Sequence, residues 1–167
     1  MADQTQVIIV MGVSGCGKTT VGNALSAKLG WPFYDGDDLH PKANIDKMAS
    51  GIPLNDDDRW PWLDNIRALI SESLRTGKSI IIACSALKER YRQRLQQGDN
   101  RVKLVHLRGS YDLIWRRMQA REGHYMKEVM LQSQFDALEE PLEAIVVEID
   151  ADIDTIIDVI VAESNLG

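Results

Sequence analysis

The chain has 167 residues, 44% of them hydrophobic and 26% charged, a length and balance that suit one globular domain able to bury its own core. A net charge of −6 excludes the basic field that broad nucleic-acid or membrane-surface binding requires, and no apolar run nears the roughly 18 residues of a membrane span. Two cysteines are too few for a disulfide scaffold, and the opening MADQTQ lacks the features of a secretory leader, so a single domain (1–167) with reduced thiols in the cytoplasm is expected.

In chain order, Val7–Met11 reads as a buried strand, five apolar residues in succession. Lys18–Leu29 has helical period, with Val21, Leu25 and Leu29 on one face and Gly30 as its stop. A short second strand is expected around Phe33 and Tyr34. The polar stretch 35–58 then runs too long for a plain connection, and its NIDKMAS (44–50) predicts one short helix. NDDDR opens another, because Asn55 or Asp56 can cap it and the acids suit the positive end of the dipole. That helix carries Trp62, Ile66, Leu69, Ile70 and Leu74 on one stripe and ends near Gly77.

SIIIAC (79–84) is apolar throughout, as a strand covered on both faces should be. A basic helix over 88–97 leads through Gly98 to a fourth strand, 102–107. Helices over 112–121 and 127–138 follow, separated by EGHY, and AIVVEI (144–149) is the fifth strand. Ile153, Ile156, Ile157, Ile160 and Val161 mark a last amphipathic helix. Strands alternating with helices predict an α/β fold, a five-stranded parallel sheet flanked by helices in three layers.

Gly12, Gly17, Lys18 and Thr19 fit the pattern G-x-x-x-x-G-K-[ST] between a strand and a helix. Glycines permit backbone angles that turn successive N–H groups inward around an anion, and the following helix adds its positive end. The whole loop, Gly12, Val13, Ser14, Gly15, Cys16, Gly17, Lys18, Thr19 and Thr20, is therefore read as a nucleotide-binding phosphate loop, ATP-binding in a kinase or ATP-driven machine, though the motif alone does not separate these from a GTPase or a nucleotide-binding regulator. Lys18 would reach the β- and γ-phosphates, and the Thr19 hydroxyl would bind Mg²⁺. The N-K-x-D and D-x-x-G patterns of a GTPase do not occur. Size, five strands and the long polar insertion suit a small-molecule or nucleoside-monophosphate kinase better. Cys16 stands near a helix N-terminus, a position that can lower a thiol pKa.

Ligands of such folds gather at the carboxyl ends of the strands. Asp35 ends the second strand, so its carboxylate should face the phosphate loop, there to take a proton from an attacking hydroxyl or to hold a magnesium-bound water. Asp37 follows closely, and Asp38 reads as a solvated acid. Ser85 ends the third strand and faces the same crevice. Of the basic helix that follows, Lys88 and Arg92 are expected to reach the site from one i, i+4 face. His106, inside a strand, reads as a satisfied core histidine, and Arg116 as surface.

MGVSGCGKTT, YDGDDLHPKANIDKMASGIPLNDDDRWPWL, CSALKERYRQRL, RMQAREGHYMK and LQSQFDALEEP together resemble the bacterial gluconokinase family, in unbroken order from about residue 7 to 141. The resemblance implies a nucleoside-monophosphate-kinase-like fold with a lid, transfer of the γ-phosphate of ATP to the 6-hydroxyl of D-gluconate with Mg²⁺, and a homodimer. Residues 35–58 would bind the acceptor, and about 117–130 would form the lid. A polyol carboxylate needs hydroxyl partners and a cation. Asp37, His40, Asn44 and Lys47 can supply the first. Arg59 can supply the second, or pair with Asp56, Asp57 and Asp58 instead. Trp60 and Trp62 are candidates for the pocket wall or the core. The lid would bring Arg117 and Arg121 to adenine or phosphate, with Arg121 as a catalytic cation. His124 would meet gluconate or phosphate, or tether the lid, and Gln134 would reach the sugar acid. A shikimate- or nucleotide-type kinase and a non-catalytic ATP sensor are the rival readings.

Overall fold

The computed structural model describes residues 5–120 and 128–164. The five strands form where the apolar runs place them: β1 (Val7–Met11), β2 (Phe33–Asp35), β3 (Ile80–Ala83), β4 (Val102–Arg108) and β5 (Ile145–Glu148). All pair in parallel in the order β2-β3-β1-β4-β5, with Val7 level with both Ile80 and Val102. β1 thus lies at the centre, and the loop that follows it emerges at the middle of the sheet's carboxyl edge.

Period-two alternation divides the core into two layers. Ile8 and Val10 face one side with Val21, Leu25, Ile114, Ile156, Ile157 and Ile160, which belong to α1 (Lys18–Leu29), α5 (Tyr111–Ala120) and α7 (Ile153–Glu163). Val7, Ile9 and Met11 face the other with Leu63, Ile66 and Ile70 of α3 (Asp56–Thr76) and with Tyr91 and Leu95 of α4 (Glu89–Gln96). Helix, sheet and helix give the predicted three-layer phosphate-loop architecture. None of the described helices is long and apolar enough to cross a membrane.

Helix ends follow the punctuation of the chain. Gly30 and Gly77 take left-handed angles of φ 72° and 74° at the ends of α1 and α3. At the start of α3 Asn55 caps: its side chain accepts from the N–H of Asp58, and the Asp58 carboxylate accepts from the N–H of Asn55.

Three features depart from expectation. After β2 the chain makes a 3-10 turn, Gly36–Leu39, because the Asp35 side chain accepts the N–H of Asp37 at 3.0 Å. The insertion helix α2 spans Lys42–Ala49, starting two residues early behind Pro41. His106 is buried but not satisfied: among the described residues its Nδ1 has no hydrogen-bond partner, and the nearest carboxylate, Glu140, is 3.9 Å away. The remaining helix, α6, spans Glu128–Ala137.

Candidate active site

At the carboxyl edge of β1, β2 and β3 lies a crevice of about 550 Å³. One wall is the phosphate loop, with Ser14, Gly15, Gly17, Lys18, Thr19 and Thr20. Gly15 and Gly17 have φ of 81° and 98°, the left-handed region where only glycine is unstrained. Gly12, Val13 and Cys16 are buried beneath the loop and hold its base. The Lys18 ammonium curls onto its own loop, donating to the carbonyls of Gly12 (2.9 Å) and Val13 (3.1 Å). Burial pushes the Cys16 thiol up and outweighs the nearby Lys18 charge, so its place near a helix N-terminus does not lower its pKa.

The facing wall comes from β2, the 3-10 turn and α3: Asp35, Asp37, His40, Arg59 and Trp62. This wall is seated closely against the sheet. A Cβ at Gly36 would stand 2.5 Å from the carbonyl oxygen of Ala83, and the indole of Trp62 donates to the carbonyl of Gly36 at 2.8 Å. Trp62 is therefore both core and wall, with His40 stacked on its face at 4.3 Å.

The two acids of the wall differ. One Asp35 oxygen is engaged by the N–H of Asp37. Asp37 opens into the crevice, yet loss of bulk water there, reinforced by the Asp35 charge, holds its carboxyl above the usual range despite Lys18 and His40. Asn44 donates to His40 Nδ1 at 3.1 Å, so the neutral ring carries its proton on Nε2. Burial and then the Arg59 charge keep that histidine below its ordinary pKa, against the pull of Asp37. Arg59 makes the ion pair the sequence allowed, its Nη1 meeting Asp56 (3.2 Å) and also Tyr91 Oη (3.1 Å), while its side chain lines the crevice.

Ser85 and Gln134 complete the crevice, and Lys88 lines an adjoining hollow with Arg59 and Ser85. Ser85 also accepts the Gly12 N–H at 3.3 Å through its carbonyl, tying the segment after β3 to the phosphate loop. The next residue, Ala86, has φ 46°, a strained angle for a residue with a Cβ.

Four expected contacts lie elsewhere. Arg92 is 1% exposed and donates to the carbonyls of Ala86 (2.8 Å) and Glu139 (2.7 Å), so it braces the protein away from the crevice. The i, i+4 argument fails because Lys88 precedes α4 in extended backbone. Lys47 is paired with Asp58 at 2.8 Å, and Asn44, almost wholly buried, donates to the Asp58 carbonyl at 2.8 Å. Both tie α2 to α3 and do not line the crevice. Arg117 donates to the Ile149 carbonyl at 2.9 Å, beyond the end of β5. Arg121 and His124 fall outside the described residues. Met48, Leu54 and Met130 line the crevice unforeseen, for an apolar residue gives no sign in the sequence of whether it faces a ligand or the core.

A family model described as an AAA domain matches residues 8–137. The thermoresistant gluconokinase of Escherichia coli (strain K12) is 43% identical over 155 residues, which cover 90% of this chain and 89% of that protein. A probable gluconokinase of Rattus norvegicus is 45% identical over 153 residues, covering 81% and 83%. The crystal structure of a gluconokinase from Sinorhizobium meliloti 1021 superposes with a TM-score of 0.83 at 41% identity, over 96% of this chain and 92% of that one.

Proposed function

The chain belongs to the gluconokinase family, and on that premise we propose how its crevice transfers the γ-phosphoryl group of ATP to the 6-hydroxyl of D-gluconate. One observation carries the residue assignment: a single crevice holds the phosphate loop on one wall and two carboxylates, a histidine and an arginine on the other. An anion cradle facing hydroxyl partners and a cation is what a triphosphate and a sugar acid require.

The backbone N–H groups of the loop hold the phosphates. Lys18 swings from the carbonyls of Gly12 and Val13 to the β- and γ-phosphates. Arg59, steadied by Asp56 and Tyr91, takes the gluconate carboxylate, and Lys88 lies close enough to assist. His40 donates from Nε2 to a substrate hydroxyl, and Ser85 adds a further polar group. Asn44 and Lys47 act through His40 and Asp58, holding the wall together.

The acids divide the work. Asp37, whose carboxyl binds a proton more readily than an ordinary aspartate, accepts the 6-hydroxyl proton as that oxygen attacks the γ-phosphorus. The bond to the β,γ-bridging oxygen breaks and ADP leaves. Asp35, with one oxygen on the Asp37 N–H, and the exposed hydroxyl of Thr19 form an oxygen donor set suited to Mg²⁺, which when bound would offset charge on the phosphates. The lid that the family implies over about 117–130 belongs to this proposal, with Arg121, which lies outside the described residues, as its catalytic cation. The homodimer and the cytoplasmic setting implied by the family belong to the same proposal, and light scattering on the purified protein tests the former.

An ADP-release assay across gluconate, shikimate and nucleoside monophosphates tests the reading. Turnover confined to gluconate supports it. Turnover on another acceptor, or silence with all of them, overturns it.

A further inference from the structure

The phosphate loop and the acceptor-side segment after β3 are both fastened to one short piece of chain, α6 and the residues just beyond it. At the loop, Ser14 donates its backbone N–H to Gln134 Oε1 at 2.7 Å, and Gln134 Nε2 donates to Ser14 Oγ at 2.9 Å. This is a two-point grip across 120 residues of sequence. Five residues further on, the Glu139 N–H donates to the Leu87 carbonyl at 2.8 Å, and its carboxylate accepts the Glu89 N–H at 2.8 Å. Arg92 bridges the carbonyls of Ala86 and Glu139. The strained Ala86 thus sits in a segment held on α6's side of the molecule.

We infer that Gln134 is a positioning residue for phosphoryl transfer: through Ser14 it sets the phosphate loop relative to α6, whose far end sets the segment Ser85–Lys88 that faces the acceptor. The inference rests on the proposed gluconate kinase reading. It adds that the spacing between donor and acceptor is fixed by this helix as well as by the sheet. Both hydrogen-bonding ends of the carboxamide are engaged by Ser14, so the sugar acid is not the primary partner of Gln134. A misplacement of about 1 Å between reacting groups is enough to cost about a hundredfold in rate.

The experiment compares the full chain with Gln134→Met, of similar length but without the grip, with Ser14→Ala, and with the double variant. Gln134→Met should lower kcat about tenfold or more while leaving the gluconate KM within about twofold and the melting temperature nearly unchanged. The double variant should be no worse than Gln134→Met alone, since both changes break one interaction. A preserved kcat, a gluconate KM that rises alone, additive losses in the double variant, or a rate loss matched by a fall in melting temperature would each overturn the inference. Binding of a non-hydrolysable Mg–ATP analogue separates this from the parent reading. A wild-type protein silent on gluconate defeats the kinase assignment, whereas a fall in analogue affinity that accounts for the whole rate loss in Gln134→Met defeats the positioning role.

Discussion

Asp35 accepts the backbone N–H of Asp37 at 3.0 Å, so the first carboxylate is partly committed by the turn it caps, while the second opens into the crevice with a raised proton affinity. Asp37→Asn should therefore lower kcat about 10²- to 10⁴-fold, the usual worth of a general base. In the wild type kcat/KM should rise with pH as Asp37 ionises, at a pH above that of an ordinary aspartate. That limb should vanish from the residual activity of Asp37→Asn. Asp35→Asn should instead raise the Mg²⁺ concentration needed for half-maximal rate. Retention of the acid limb in Asp37→Asn would transfer the base role to Asp35.

Lys18→Ala should leave the melting temperature almost unchanged, because among the described residues the ammonium bonds only carbonyls of its own loop, and should depress kcat by about 10² or more. Arg59→Ala should act chiefly on the gluconate KM. An Arg59→Ala effect confined to the ATP KM would reassign that guanidinium to the donor side.

Arg92→Met should destabilise the fold by about 3 kcal/mol, since it strands the carbonyls of Ala86 and Glu139 and unpairs Glu89. Chemical denaturation measures this. A raised gluconate KM at unchanged stability would return Arg92 to the substrate site.

His106 supplies a test with pH. Burial holds its pKa below the ordinary value, so the native state keeps the ring neutral while the unfolded chain protonates near about 6.5. Its contribution to stability is therefore present above that pH and lost as pH falls towards the native value. His106→Leu should shrink the drop in melting temperature between about pH 7 and pH 5. His40, shifted in the same direction, should account for a remaining part of the slope. An undiminished drop in His106→Leu would show that Glu140, 3.9 Å from Nδ1, stabilises the charged ring after all.

The fold was legible because its signals are local. Five apolar runs, glycines such as Gly30 and Gly77, and the Asn55 cap each act within a few residues of where they stand. The phosphate loop was legible for the same reason. Asp35, Asp37, His40 and Arg59 were brought to one wall because the end of β2 and the start of α3 lie at the same edge of the sheet. Arg92, Asn44 and Lys47 were misplaced because residue type alone does not separate a side chain that meets substrate from one that braces a wall. The braces depend on partners 47, 14 and 11 residues away. Gln134 illustrates the same limit, as its partner lies 120 residues away in the chain.

The strand order β2-β3-β1-β4-β5 has one more implication. The phosphate loop springs from β1, laced to a neighbour on each flank, whereas the insertion proposed to bind the acceptor follows β2, which is paired on one flank alone. A change confined to that outlying segment leaves both ladders of β1 untouched.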